Sequence, residues 1–271
     1  MTKTEQRQLQ ALYVTWQNSL TKQYFPVGRL VSGLAPDKPE YEFCYLNGAD
    51  AAEKAGFEPL LSFSSLNRIY RSDELFPLFQ NRLMSPGRVE YREYLSNLGL
   101  DPATVDPMTV LVRSGGVRAT DSLEIFEVPR VSDVGLPFQT HFLAHGLRYL
   151  HSTSLMRIGA LQPNDRLRIM HDFQNAHDAG ALALSTEDRI IVGYMPRYLL
   201  GDAFKLLTSC ITVECFVSRV NPVPAPLQQR LLCRLEACWT PGFRPFCDRE
   251  YEPICPEAVD LSAWCGGDSD V

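Results

Sequence analysis

One stretch decides the fold of the second half of the chain: residues 168–200, RIMHDFQNAHDAGALALSTEDRIIVGYMPRYLL. Its polar loop NAHD, at 175–178, precedes the alternating run AGALAL, which ends at the turn STED. A second apolar run, RIIVGYMP, then leads into the helical pattern YLLGDAFKLL. Short alternating runs bounded by turn formers are typical of strands. The stretch therefore predicts strands joined by polar loops and closed by a helix.

The flanking sequence extends this pattern in both directions. Upstream lie a strand-like FQTHFLA, the turn HGLRYL, a helical SLMRIGAL and a strand within QPNDRLRIMHD. Downstream, residues 211–220 and 227–235 have the composition of two more strands. Short strands between turns, accompanied by two helices, favour a small β-barrel or an α+β module.

Three ordered motifs in this region resemble the HIRAN domain, which occurs alone in bacteria and fused to SWI/SNF-type helicases in eukaryotes. They are Gly146-Leu147-Arg148-Tyr149, then Asn175-Ala176-His177-Asp178-Ala179-Gly180-Ala181-Leu182, then Val192-Gly193-Tyr194-Met195-Pro196-Arg197. The resemblance covers about residues 138–220. The chain departs from the family pattern at His177, where an aromatic residue is usual, and at Gly180, where asparagine is usual.

The resemblance implies a compact, OB-like barrel, which in the helicase-fused members captures the 3′ end of single-stranded DNA. It assigns phosphate contact and base stacking to Arg148 and Tyr149, and the sugar end to Asn175 and Asp178. An aromatic face suits a terminal base, arginine suits phosphate, and Asn or Asp oxygens suit a free 3′-hydroxyl. Asn175 and Asp178 are equally typical of a turn cap. The remaining members of the predicted nucleic-acid-binding set are Arg168, His177 and Arg197.

The first half of the sequence predicts a separate α+β module. An amphipathic helix is expected within the first 25 residues, with Leu9, Leu12, Trp16 and Leu20 on one stripe. FPVGRLVSGL and YEFCYL predict a hairpin, Asp73–Leu83 a helix, and residues 91–98 another helix that ends at Gly99. VLVRSGG and SLEIFEV predict a further strand pair.

This half resembles the small N-terminal subdomain of HipA-type kinases. The best matches are Tyr70–Leu83 and Ser114–Phe126. The kinase lobe that would follow is replaced by the HIRAN-like sequence, so the resemblance carries over neither ATP-binding nor catalytic residues. Because such subdomains can act on a separate kinase, it implies a protein partner for this module.

Together these patterns predict four regions. Residues 1–128 form the N-terminal helix and the HipA-N-like module, and 129–137 a linker. Residues 138–247 form the HIRAN-like barrel, and 248–271 an acidic tail. The charge follows this division: 136–247 carry 11 basic and eight acidic side chains, whereas 248–271 carry one and seven. Such a tail could fold over the basic face and compete with phosphate.

Composition limits the other function classes. A hydrophobic fraction of 45% suits a packed core. No apolar run approaches the length of a membrane span, and the N-terminus is too polar for a signal peptide, so we expect a cytoplasmic protein without membrane contact.

Seven of the eight cysteines follow residue 209, without any C-x-x-C pair and with all five histidines upstream. The spacing disfavours a zinc site, and we expect neither metal nor cofactor.

No P-loop and no nucleophile elbow occurs, so we expect binding rather than catalysis. The leading hypothesis is recognition of single-stranded DNA ends. Its alternative is an antitoxin-like regulator of a kinase, with a vestigial DNA pocket; an exposed apolar patch within residues 70–95 would favour it. Arginines 148, 168 and 197 converging on one face with Tyr149 would favour DNA. A third possibility is an enzyme built on His171, His177 and Asp178.

Overall fold

The computed structural model describes residues 9–34, 39–118, 120–128, 138–210, 212–238 and 243–261. It divides into two compact units that are discontinuous along the chain. The first comprises residues 1–88, 105–128 and 246–271, and the second comprises 89–104 and 129–245. The predicted linker at 129–137 lies outside the described residues.

The first unit contains an antiparallel sheet of five strands, with order β4-β3-β2-β1-β5. Its elements are β1 Gln10–Gln17, β2 Tyr24–Ser32, β3 Tyr41–Tyr45, α1 Gly48–Lys54, β4 Tyr70–Ser72, α2 Pro77–Gln80, α4 Pro107–Ser114, β5 Leu123–Glu127 and a 3₁₀ turn at Arg249–Tyr251. The predicted hairpin is confirmed, since β2 pairs antiparallel with β3 from Gly28 opposite Tyr45 to Ser32 opposite Tyr41. One sheet face packs into a core of Leu12, Leu30, Phe43 and Tyr45, beneath α1 and α4.

The predicted N-terminal helix is wrong over the described residues, because Gln10–Gln17 is a strand. Leu12 and Trp16 fit a helical stripe, but together with Val14 they also fit the two-residue period of a strand. β1 is paired with β2 on one side and β5 on the other. The β-branched and aromatic composition of ALYVTW suits this central position. Residues 1–8 lie outside the described part.

The predicted strand at VLVRSGG is also wrong: these residues belong to helix α4 and the turn that ends it. Asp106 caps the helix by accepting hydrogen bonds from the backbone N–H groups of Met108 and Thr109, and Pro107 occupies the first turn. Gly115 ends it in a left-handed conformation, with φ of 69°. The helix predicted over Asp73–Leu83 is confined to Pro77–Gln80.

Arg82 joins the two segments that carry the HipA-like resemblance. Its side chain is buried, and its guanidinium donates to the Gly116 carbonyl at 2.7 Å and to the Asp121 carboxylate at 2.5 Å. Tyr70–Leu83 and Ser114–Phe126 are therefore held together in this unit by an ion pair between the buried Arg82 and the more exposed Asp121.

The acidic C-terminal region packs, as far as residue 261, within the first unit. The backbone N–H of Val259 donates to Oε1 of Glu42 at 2.7 Å, and its carbonyl accepts from Arg29 at 2.5 Å. Tyr13 packs against Phe246 and Tyr251, with ring centroids 5.6 and 5.0 Å apart. The segment covers the sheet face opposite the core described above. Residues 262–271 lie outside the described part.

The second unit contains a curled, half-barrel sheet of six strands, with order β6-β11-β10-β7-β8-β9. Its elements are α3 Tyr91–Asn97, β6 Phe138–Leu143, a 3₁₀ turn at Leu147–Tyr149, α5 Ser152–Gly159, β7 Arg166–His171, β8 Leu182–Ser185, β9 Ile191–Tyr194, α6 Arg197–Ser209, β10 Val213–Val220, a 3₁₀ turn at Leu227–Gln229 and β11 Leu231–Ala237. Just beyond β6, His145 forms an isolated bridge with Tyr194 on β9. The two edges of the sheet therefore meet at one point, as a barrel-like architecture requires.

Helix α3 belongs to the second unit although its sequence lies within the first half of the chain. Arg219 of β10 donates to Oγ of Ser96 at 3.0 Å, and the fully buried amide of Asn221 donates to the Asn97 carbonyl at 2.5 Å. The helix predicted near residues 91–98 is confirmed, and Gly99 follows it with φ of 70°. In the part of the chain that is described, no helix is both long and apolar enough to cross a membrane.

Candidate nucleic-acid interface

The loop between β7 and β8, residues 172–181, is organised around Asn175. Oδ1 of Asn175 accepts hydrogen bonds from the backbone N–H groups of His177 and Asp178, at 3.0 and 3.1 Å. Its amide nitrogen donates to Oδ2 of Asp172 at 3.2 Å. Asn175 thus forms an Asx turn and has the turn-capping role that its sequence position allows. Its carbonyl oxygen is committed to holding the loop.

Asp178 lies in the same loop and forms an ion pair with Arg197, the first residue of α6. Nε of Arg197 donates to Oδ2 of Asp178 at 2.5 Å, and a terminal nitrogen donates to the His177 carbonyl at 2.5 Å. Oδ1 of Asp178 accepts from the backbone N–H of Gly180 at 3.0 Å. A carboxylate accepts about four hydrogen bonds. Asp178 therefore retains acceptor capacity, and its side chain is 23% exposed.

Tyr194 connects this loop to the Gly146–Tyr149 turn. Its hydroxyl donates to Oδ2 of Asp172 at 3.1 Å, and its backbone exchanges two hydrogen bonds with His145, at 2.9 and 3.0 Å. Gly146 has φ of 76°, and a β-carbon there would lie 2.9 Å from the Tyr194 ring. Only glycine allows this approach. Burial and the neighbouring Asp172 carboxylate both raise the pKa of the Tyr194 hydroxyl.

Arg148 and Tyr149 form an exposed pair on that turn. The Arg148 guanidinium carbon lies 4.6 Å from the centroid of the Tyr149 ring and also hydrogen-bonds to its hydroxyl. Tyr149 is 74% exposed. An exposed aromatic ring with a guanidinium on one face suits a nucleobase and its phosphate.

Arg168 lies on β7, farther from the loop. Side chains of a strand alternate between its faces, so Arg168 shares a face with Met170 and Asp172. Met170 lies opposite Ala183, which lies opposite Tyr194, and this places Tyr194 on that face as well. At about 3.3 Å per residue, Arg168 lies roughly 13 Å along the strand from Asp172.

The predicted site residues are thus brought together to different degrees. Hydrogen bonds join Asn175, His177, Asp178 and Arg197 in one loop system. Tyr194, which is not among the predicted site residues, places the Arg148–Tyr149 turn beside this loop system. Arg168 shares the face but has no hydrogen bond or ion pair with the others among the described residues.

An aromatic cluster beside the loop was missed at the level of sequence. Nε2 of His171 donates to the Ala179 carbonyl at 2.7 Å, because a carbonyl can only accept. Its ring centroid lies 4.1 Å from that of Phe173 and 5.4 Å from that of Phe204. Phe173 is 83% exposed although it belongs to a polar loop. A phenylalanine amid the polar residues HDFQN was the available signal.

The described contacts of His171 do not include His177 or Asp178, the other members of the predicted enzymatic alternative. Within the described ranges, no three His, Cys, Asp or Glu side chains group as metal ligands. Position 180 has room for a side chain, since a β-carbon on Gly180 would lie 3.6 Å from Asp178 and 3.9 Å from Phe204, both ordinary contacts.

Comparison with known proteins identifies the second half of the chain. Residues 138–237 match the family model of the HIRAN domain, which confirms the resemblance and extends it to the end of β11. The crystal structure of the HIRAN domain of human HLTF is similar at 16% identity and a TM-score of 0.27, over 37% of this chain and 72% of that one.

A protein of known structure from Lactobacillus plantarum is similar at 18% identity and a TM-score of 0.27, over 36% of this chain and 98% of that one. A search of curated proteins gives no match. The match to the family model assigns residues 138–237 to the HIRAN domain, a class known in DNA-binding proteins, and this supports nucleic-acid binding in general. The HipA-like resemblance of residues 1–128 stays a prediction.

Proposed function

We propose that the HIRAN domain of this chain binds single-stranded DNA at its free 3′ end, without catalysing a reaction. One observation carries the proposal: Tyr194 joins the turn that bears the exposed Arg148–Tyr149 pair to the loop that bears the Asp178–Arg197 pair. A stacking surface, two guanidinium groups and a carboxylate with spare acceptor capacity are thereby assembled around one residue.

Each group has a distinct role in the proposed complex. The terminal base stacks on Tyr149, and Arg148 contacts the adjoining phosphate. Asp178 accepts a hydrogen bond from the 3′-hydroxyl, while Arg197 holds its carboxylate in place. Asn175 keeps the loop in shape. His177, whose side chain is exposed, offers a smaller ring than the usual family aromatic and stacks more weakly.

The proposed affinity is modest and sensitive to salt. The segment 136–247 has only three more basic than acidic side chains. For single strands, the logarithm of the binding constant falls with the logarithm of salt concentration by about 0.7 per phosphate neutralised. With two or three arginines in contact, we expect a slope of about −1.4 to −2.1.

The test is fluorescence anisotropy with a labelled single strand that ends in a 3′-hydroxyl, beside the same strand with a 3′-phosphate. The full chain should prefer the hydroxyl. Asp178→Asn should abolish that preference, because the amide is a poorer acceptor and the phosphate is no longer repelled. Tyr149→Ala should lower the affinity for both strands by about fivefold or more.

Met156→Ala removes an equally exposed apolar side chain, on α5, and serves as the control. Equal affinity of the wild type for the two strands would refute end recognition. Absence of binding at low salt would refute DNA binding by this domain.

The second candidate is a protein-interaction role for the first unit, for instance as a regulator of a kinase. It predicted an exposed apolar patch within residues 70–95. In that range Val89 is the sole large hydrophobic residue that is exposed, while Leu75 and Phe79 are buried. This composition favours the DNA-binding proposal. If the full chain specifically retained a kinase and did not bind DNA, the protein-interaction role would become the favoured function.

A further inference from the structure

A row of side chains crosses four strands of the second unit, outside the loop system described above. Phe216 of β10 lies directly opposite Arg166 of β7 on one side and Arg234 of β11 on the other. Arg234 in turn lies opposite His141 of β6. Directly opposed residues point to the same face of a sheet. Arg166, Phe216, Arg234 and His141 therefore form one continuous row, here named the outer row.

The outer row faces away from the core of the unit. The neighbours of its members along the strands, Leu167, Cys215 and Leu235, are all buried and paired with one another in register. Because side chains alternate, the outer row lies on the opposite, accessible face. The Arg166 side chain is 60% exposed, and Phe216 is half-buried.

The contacts within the row are those of a stacking surface with flanking cations. The guanidinium carbon of Arg234 lies 5.4 Å from the Phe216 ring centroid, within the range of a cation–π contact. Arg234 also donates to Glu236 at 2.6 Å, and Arg166 lies 3.2 Å from Glu214. These two carboxylates belong to the next row, where Glu214 lies opposite Glu236. They orient the arginines along the face.

The outer row is continuous with the face of the proposed DNA site. Arg166, Arg168 and Met170 alternate along β7 on that face, and Asp172 directly follows the strand. From Asp172 to Arg166 the strand spans about 20 Å, and from β7 to β6 three strand spacings add roughly 14 Å. An OB-type sheet that binds single strands combines a basic groove with aromatic side chains, at about 4–16 nucleotides per fold.

We propose that the outer row is a second contact surface for the same single strand, which runs from the 3′-end loop past Arg168 and then across Arg166, Phe216 and Arg234. A base stacks on the exposed part of Phe216, and the two arginines contact the adjoining phosphates. This inference rests on the proposed function, since it extends the same site. The domain then binds several nucleotides and not only a terminal one.

The test is a length series measured with the full chain. Strands of two, four, eight and twelve nucleotides, each with a free 3′-hydroxyl, are titrated at two salt concentrations. Affinity should rise with length until the outer row is reached and then level off. Phe216→Leu, which keeps an apolar side chain in the half-buried position, should lower the affinity for twelve nucleotides by about fivefold or more. The affinity for the dinucleotide should not change.

Charge variants test the arginines separately. Arg166→Gln should lower the affinity for the twelve-nucleotide strand and reduce the salt slope of its binding by about 0.7. Glu214→Gln should raise the affinity for the same strand, because a negative charge beside the outer row is removed. Arg92→Gln, on α3, removes the same charge from an exposed position of the second unit and is the matched control.

The outcomes separate the two proposals. Wild-type affinity that is independent of length, with 3′-hydroxyl preference intact, would overturn the outer row and leave end recognition standing. Equal affinities of Phe216→Leu and Arg92→Gln for the twelve-nucleotide strand would also overturn the outer-row proposal. Failure of the wild type to bind any of the strands would overturn the proposed function and this extension together.

Discussion

Tyr194 donates a hydrogen bond to Asp172 across 3.1 Å while its backbone pairs with His145. One residue at the end of β9 therefore links, through its side chain and its backbone, the first residue of the 172–181 loop to the strand end that precedes the Gly146 turn. The two segments that carry the candidate site are far apart in the sequence and have this residue in common. Its removal should affect the geometry of both.

Tyr194→Phe should weaken single-strand binding by about three- to tenfold and lower the free energy of unfolding by about 1 kcal/mol, the usual net value of one hydrogen bond. Anisotropy and urea unfolding measure the two effects. Tyr91→Phe is the control, because the described residues offer the Tyr91 hydroxyl no hydrogen bond. Identical DNA affinity in both variants would show that the link does not position the site.

Phe173→Ala should lower the affinity for single-stranded DNA by about fivefold or more, with little change in stability. The ring is 83% exposed and is backed by His171, so it offers a base a stacking surface beside the loop. Titration of the variant with an eight-nucleotide strand gives the effect. Met156→Ala, which removes another exposed apolar side chain, should bind as the wild type does. A loss of stability in place of a loss of affinity would assign Phe173 to packing.

Truncation after Pro245 should destabilise the first unit by several kcal/mol. It removes the backbone partners that Val259 provides for Arg29 and Glu42, both of which are buried, and uncovers Tyr13. Buried charges left without such partners are costly. Urea unfolding and limited proteolysis measure the effect. A chain ending at Leu261 keeps these contacts and should unfold as the full chain does; equal stability of all three chains would contradict the expectation.

Alkaline pH should destabilise the first unit through two neighbours on β3. Burial raises the pKa of the Cys44 thiol to about 11 and that of the Tyr45 hydroxyl to about 12. The folded state then holds these protons more tightly than the unfolded state, in which the values are about 9 and 10. The stability they contribute is complete below pH 9 and is lost as the pH rises through 11 and 12.

Urea unfolding at pH 8, 9.5 and 10.5 should show this decline. Cys44→Ala should make the curve flatter over that interval, because it removes the group that titrates first. A free energy of unfolding that stays constant from pH 8 to 10.5 in the wild type would contradict the expectation.

The sequence predicted the elements whose pattern is local. The β2–β3 hairpin and α6 follow from apolar runs and turn residues that lie within a few positions of one another. The N-terminal strand was missed because Leu12 and Trp16 fit two periods, and pairing with β5, more than a hundred residues away, decided between them. VLVRSGG was mistaken for a strand although Asp106 and Pro107 already gave a helix start signal.

The candidate site was predictable in part for the same reason. The Asx turn at Asn175 depends on nearby residues, and the HIRAN resemblance pointed to Arg148, Tyr149 and Asp178. The outer row was not predictable, because it depends on the register of β7, β10 and β11, and their residues lie up to 68 positions apart. Likewise, nothing in the sequence indicated that Val259 would partner Arg29.

The division of the chain into interleaved segments has a consequence for biosynthesis. The second unit has all of its segments once residue 245 has been made, whereas the first still needs 246–261 to cover Tyr13, Arg29 and Glu42. On the ribosome, the unit encoded later is thus the first that can finish folding. The unit encoded first keeps an open sheet face until the C-terminal residues leave the exit tunnel. A chain that ends at residue 245 and has left the ribosome would therefore contain all segments of the HIRAN domain, together with a first unit whose sheet face is uncovered.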